Sequence, residues 1–175
     1  MAEGYQTFGR PIPRVDALDK LTGSALYAGD ISFPHMLHLK ILRSDRPHAK
    51  ILRIHTEQAE ASPGVVAVLT HKDIPGRNRV GVRNKDQPVL CDERVRYIGD
   101  PVAMVAAETL EASEKALRLI KVDYENLPDL FSPEEALAPE APKIHESGNL
   151  LLERTLLKGD PDRGIKEAEV VITNT

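Results

Sequence analysis

The sequence holds one cysteine, Cys91, and six histidines, and these are the first places to look for nucleophilic or metal chemistry. A cysteine nucleophile needs a base beside it, usually an imidazole. Cys91 follows the apolar run Pro88-Val89-Leu90, and a free cysteine in such a setting is more often packed than reactive. One cysteine also excludes an intrachain disulfide and any multi-cysteine metal or iron–sulfur site within the chain. His35 and His38 are three residues apart, a spacing that on a helix can hold a metal. Pro34 and the alternating residues after it predict an extended segment, with the two imidazoles on opposite faces, a geometry unsuited to chelation. His48, beside Asp45 and Arg46, reads as part of a solvated polar loop. Glu57 and the pair Glu134-Glu135 stand where helices begin, positions that the helix dipole favours for acids without catalysis. No Ser-His-Asp set follows from spacing. The scattered glycines fit no phosphate-binding pattern.

Arg96-Tyr97-Ile98-Gly99-Asp100-Pro101-Val102 stands out more. Glycine, then an acid, then proline at the mouth of an apolar run fix a tight backbone path. The plainer reading is a structural turn at a strand entrance. The functional one makes Gly99, Asp100 and Pro101 a contact with a neighbouring domain. No residue is assigned as catalytic, cofactor-binding or metal-binding.

These residues need elements to hold them. Gly9, Pro11 and Pro13 predict an extended arm over residues 1–17, and Asp19 to Gly23 a turn. Alternation predicts strands over 36–43 and 50–55, and the short connection Ser44–Ala49 makes their pairing as neighbours the natural expectation. Thr56 predicts an N-cap for a short helix over 57–61, stopped by Pro63-Gly64. Val65 to Leu69 and Val102 to Ala107 read as buried strands. His71 to Ile74 reads as a helical turn, and 76–88 as a surface loop with some mobility. Thr109 caps a helix whose apolar positions are Ala112, Ala116, Leu119 and Ile120. Lys121 to Tyr124 follows as a strand, and Val102–Tyr124 as a unit permits one parallel crossover. Ser132-Pro133-Glu134-Glu135 has the capping-box pattern. Residues 138–142 form a proline-rich linker. A helix near 163–168 and a strand over 169–175 complete the chain, and a strand with nothing after it to pair implies a truncated piece of something longer. The order of elements predicts an α+β, mixed α/β domain.

With 175 residues, 41% hydrophobic and 29% charged, the chain is long enough for one domain with a small appendage. Thirteen prolines favour short elements over a helical bundle. A net charge of −4 and 4% aromatics make a nucleic-acid partner a poor fit. No apolar run approaches the ~20 residues of a membrane span, and the polar N-terminus lacks a signal-peptide core. The cytoplasm is therefore the expected compartment.

Taken in order, the motifs resemble the large subunit of the molybdenum hydroxylases, the family of xanthine dehydrogenase, aldehyde oxidase and carbon monoxide dehydrogenase. The resemblance runs through Lys20-Leu21-Thr22-Gly23-Ser24-Ala25, Leu42-Arg43-Ser44 and His48-Ala49-Lys50-Ile51. It continues with Pro63-Gly64-Val65-Val66-Ala67-Val68-Leu69-Thr70 and Val95-Arg96-Tyr97-Ile98-Gly99-Asp100-Pro101-Val102-Ala103. Val122-Asp123-Tyr124-Glu125-Asn126-Leu127-Pro128, Gly159-Asp160 and Ala168-Glu169-Val170-Val171 close it. Each motif is weak alone, and the ensemble is specific. One departure stands at Asp100, where the family usually carries Gln or Glu.

The resemblance implies an α/β hammerhead domain over 18–145, with a mixed sheet and short packed helices. Residues 146–175 would then be a linker and the start of a molybdopterin-binding domain. It implies a full enzyme that oxidises a purine-like heterocycle or an aldehyde with oxygen from water. Molybdopterin would sit in the full-length subunit, with 2Fe-2S clusters and FAD on partner subunits or domains, and this fragment would hold no cofactor and no catalytic residue. Two other readings stand beside it: a stand-alone docking module that uses 1–17 and 76–88 as contacts, and a small enzyme using Cys91 or a histidine.

Overall fold

The computed structural model describes residues 11–174. The expected mixture of strands and short helices is what it contains. Helix α1 spans Ala17–Thr22; strands β1 and β2 span His38–Arg43 and Ala49–His55; helix α2 spans Glu57–Glu60. Strand β3 covers Val65–Leu69, β4 covers Arg94–Val95 and β5 covers Pro101–Ala107. Helix α3, Leu110–Leu117, leads to β6, Lys121–Asn126, followed by α4, Pro133–Leu137, and α5, Pro161–Glu167. No helix among the described residues is long and apolar enough to cross a membrane.

The strands form two sheets of three, ordered β1-β5-β3 and β4-β2-β6, and every ladder is antiparallel. Two sequence expectations are corrected here. Strands β1 and β2 do not pair; they belong to different sheets. Nor does β5-α3-β6 make a parallel crossover, because β6 joins β2 in the other sheet. The reason lies in composition. β5 reads Pro-Val-Ala-Met-Val-Ala-Ala with no charged residue, so it tolerates neighbours on both edges and cover on both faces. It takes the centre of the first sheet and displaces the sequence-adjacent pairing.

One face of the first sheet is covered. Ala103 and Val105 of β5 pack with Ala59 of α2 and with Ala116 and Ile120 of the α3 region, all buried. Small side chains let the helix lie close; Ser113 of α3 is wholly buried and donates to the Leu110 carbonyl at 2.6 Å. Gly64, with φ of 78°, turns the chain into β3, and a Cβ there would already touch that of Ala112. Lys40 meets Glu114 at 3.0 Å on the rim. Alternation sends the next residues of each strand to the opposite face. The rows Leu39–Ala106–Ala67 and Ile41–Met104–Leu69 are wholly apolar, and none of the six is buried.

A second core gathers Ala49, Cys91, Val95 and Val102, with Ile51 and Tyr124 against it. Ile54 and Val122 touch both clusters and join them.

Cap chemistry follows the sequence at most ends. Thr109 accepts from Ala112 N–H at 3.1 Å and Ser132 from Glu135 N–H at 3.2 Å. Thr70 opens the His71–Asp73 turn, with Asp73 returning to the Thr70 N–H at 2.7 Å. Thr56 is an exception: its hydroxyl donates to the Glu60 carboxylate at 2.6 Å and caps no backbone N–H. At Asp19–Gly23 the expected turn is the end of α1, closed by Gly23 in the left-handed region. The extended arm expected over residues 1–17 lies partly outside the described residues; from 11 it runs irregularly into α1. The strand expected over 169–175 is not formed over the described part, since no neighbouring backbone is there to complete a ladder.

Candidate functional site

The turn singled out in the sequence lies where the two sheets meet. Gly99 has φ of 105°, a conformation that strains any residue with a Cβ. Its N–H donates to the Ser44 carbonyl at 2.8 Å, and Ser44 N–H donates to the Asp100 carbonyl at the same distance. Arg43 adds a bond from Nη1 to the Gly99 carbonyl, also 2.8 Å. The end of β1 is thereby tied to the entrance of β5. Asp100 is 2% exposed, and its Oδ2 accepts from the Arg96 N–H at 2.7 Å. A buried carboxylate that closes a loop in this way replaces water with a backbone donor. Pro101, which has no N–H to place, offers its carbonyl to the Cys91 N–H at 2.7 Å.

Cys91 sits at the back of this turn with no exposed surface. Burial pushes its thiol up to about 12, with the Asp100 carboxylate adding to the effect. A thiol so placed is a poor nucleophile at neutral pH. The packed reading of Cys91 therefore describes it. Tyr97 and Tyr124 are also raised above the ordinary phenol range, chiefly by burial.

Beside the turn is a cleft of about 410 Å³. Three segments line it: the loop with Asn84, Asp86 and Pro88, the turn with Arg96, Tyr97 and Asp100, and the stretch from His145 to Leu151. The loop is anchored at its base. Asn78 donates to the Leu90 carbonyl at 2.7 Å and accepts from the N–H groups of Val89 and Leu90. Arg79 grips Asp92 with two bonds of about 3.0 Å. Burial opposes the charge on Asp92, yet Arg79 and the Glu93 N–H hold its carboxyl below the usual range. On the far wall Arg96 Nε donates to the Ile144 carbonyl at 3.2 Å. Asn149 donates to the carbonyls of Ala136 and Pro142 and accepts from the Ile144 N–H. Sequence reading missed this cleft, because its walls come from stretches some fifty residues apart that carry no periodic signal.

The remaining candidates are dispersed. His48 is not solvated as expected: it is 5% exposed and its Nδ1–H donates to the Pro128 carbonyl at 2.6 Å. The Leu127 N–H returns to the His48 carbonyl, so the chain leaving β6 covers the ring. His35 takes a φ of 61° in the Phe33–Met36 turn. That bend corrects the expected extended path, and His35 and His38 line one shallow groove with Phe33, Met36 and Glu108. Among the described residues no group of three His, Cys, Asp or Glu side chains is arranged to hold a metal. Glu57 faces Arg53 and Glu135 serves its helix start.

Comparison with known proteins decides the family. Residues 22–128 match the family described as aldehyde oxidase and xanthine dehydrogenase, a/b hammerhead domain. The chain belongs to this family. Its hammerhead match covers both sheets and the Gly99–Pro101 turn. A probable xanthine dehydrogenase subunit of Bacillus subtilis is 49% identical over 93% of the chain, which spans 22% of that relative. The nicotinate dehydrogenase large molybdopterin subunit of Eubacterium barkeri is 41% identical over the whole chain and 41% of its own length. Among solved structures, the aldehyde oxidoreductase of Desulfovibrio gigas has a TM-score of 0.81 at 35% identity, covering 90% of this chain and 19% of that one. The chain thus spans between a fifth and two fifths of the length of these hammerhead relatives.

Proposed function

We propose that this chain serves as the N-terminal domain of the large subunit of a molybdenum hydroxylase. In that reading the complete protein oxidises a purine-like heterocycle or an aldehyde with oxygen from water. The observation that carries it is the family match over 22–128, reinforced by relatives that are molybdenum-binding subunits by name. In this reading molybdopterin belongs to the remainder of the subunit, 2Fe-2S clusters and FAD to partner subunits or domains, and no catalytic step is assigned to the residues of this chain. A cytoplasmic location, with neither nucleic acid nor membrane as partner, belongs to the same reading.

The domain's work is then to dock. Three features support this: the half-exposed apolar face of the first sheet, the exposed Leu18, Leu21 and Phe33 before it, and the exposed Leu156, Leu157 and Ile172 after it. A surface with this much exposed aliphatic area favours a protein partner. Tyr97 and Ile98, 47% and 62% exposed, flank the Gly99-Asp100-Pro101 turn and make it one part of that contact. The division into residues 1–17, 18–145 and 146–175 goes with the proposal. The second reading, a free-standing docking module that assembles with the other subunits, would use residues 1–17 and 76–88 as its contacts.

The test is to sequence the native reading frame beyond the codon for Thr175, then co-express the full gene with its neighbours. Molybdenum in the purified complex and oxidation of hypoxanthine or an aldehyde would support the enzyme reading. A stop codon directly after Thr175 would overturn it in favour of the free-standing module.

A further inference from the structure

The cleft is bounded by two walls that are each ordered from within. The loop wall is fixed at its base by Asn78, by the Arg79–Asp92 pair and by two backbone bonds between Val80 and Gln87. The opposite wall is fixed by Asn149 and by the bond from Arg96 to Ile144. Between them the described residues show one polar bridge, His145 Nδ1 to Asp86 Oδ2 at 3.1 Å. Both partners are a little over two fifths exposed, and the buried Asp100 belongs to the same lining. We propose that Asp86 and His145 form a proton-dependent clasp that holds the tip of the 81–88 loop against the 144–149 segment and so controls access to the cleft.

The chemistry is direct. A protonated imidazole presents a charged N–H to the carboxylate; a neutral one keeps at most an uncharged hydrogen bond, roughly half as strong. With both walls held by bonds that do not depend on a histidine, loss of that charge loosens the tip and leaves the base in place. The other charged groups lining the cleft are Arg96 and Asp100, with the Tyr97 phenol; Lys85 and Glu146 adjoin the pair in sequence. Arg96 and Asp100 are tethered to Ile144 and to the Arg96 N–H, so the pair at the mouth is the part of the cleft free to respond. The effect is modest because exposed pairs are weak: about two- to five-fold in the opening equilibrium.

The inference stands apart from the enzymatic reading. Its test is amide hydrogen exchange of residues 82–87, corrected for intrinsic rates and measured across a pH series, with the His145 ring signals followed by NMR. Loop protection should fall two- to five-fold as pH rises and the ring signals report loss of the His145 proton, while β5 amides stay unchanged. Asp86→Asn and His145→Gln should flatten the pH dependence. Loop protection that does not follow the His145 ring signals, or that keeps the wild-type pH dependence in both variants, would overturn the clasp. If a variant fails to fold, the wild-type titration decides alone.

Discussion

The middle of this chain and its two ends obey different rules, although their composition is much alike. Every buried residue among those described lies between Ser44 and Ile120. The ends carry leucine, isoleucine, valine and phenylalanine too, yet Leu18, Leu21, Leu156, Leu157 and Ile172 are 71% to 89% exposed. Hydrophobicity was therefore not what decided burial. The middle has strands that find partners and small residues, such as Ala59, Ala103 and Ala116, that let a helix close over a sheet. The stretches before β1 and after β6 have neither, and helices α1 and α5 bury no residue.

The largest effect should come from cutting into the middle. Leu90 is fully buried, and Leu90→Ala should cost about 2–5 kcal/mol by urea unfolding. The same truncation at Leu156 should fall within about 0.5 kcal/mol. Equal costs at the two positions would break the contrast. Next is Asp100. Removing its carboxylate in Asp100→Ala strands the Arg96 N–H in a buried site, at a cost of about 1–3 kcal/mol. Asp100→Asn keeps an acceptor oxygen and should recover most of that. If Asn is as damaging as Ala, the turn is held by charge and not by this hydrogen bond.

The same contrast explains what was legible in the sequence. Elements were, because capping residues and apolar periodicity are local: Thr109, Ser132 and the Val65–Leu69 run stand where the residues predicted. Pairing was not, because it depends on which strand best tolerates the centre of a sheet. β1 and β2 look like a hairpin until the uncharged β5 is considered as a competitor for β1. The Gly99–Pro101 turn was visible as a motif, and its spacing gave the tight path. Its partners were not, since Ser44 and Arg43 lie more than fifty residues away in sequence. His48 misled for the same reason: its neighbours Asp45 and Arg46 are polar, while the residue that buries it is Pro128.

A third effect tests the core through pH. The unfolded Cys91 thiol ionises near 8.5, whereas in the folded chain burial pushes it up to about 12. Between those values the folded state holds a proton that the unfolded state has released. Stability is thus intact below about pH 8.5 and declines above it by up to about 1.4 kcal/mol per unit. Cys91→Ala removes this contribution, so its alkaline stability profile should be the flatter of the two. Parallel profiles would mean that the site admits water. Thiol labelling at pH 7 should likewise be slow in the folded chain and rapid only in denaturant.

The smallest expected effect is at the C-terminal end, and it is the sharpest test of the contrast. Residues 156–174 are exposed throughout. Helix α5 has a good cap, with Asp160 accepting from the Arg163 N–H at 2.9 Å, but a seven-residue helix that buries nothing contributes little by itself. Deleting residues 156–175 should leave the unfolding free energy of the remaining chain within about 0.5 kcal/mol of the original, with its midpoint unchanged. The same deletion removes Leu156, Leu157, Ile165 and Val170 to Ile172 from the surface, so any self-association seen by sedimentation should weaken. A loss above about 1 kcal/mol would show the end packing on the body in solution. An unchanged midpoint with reduced association would leave one account of those aliphatic residues: their contacts are made with another protein surface.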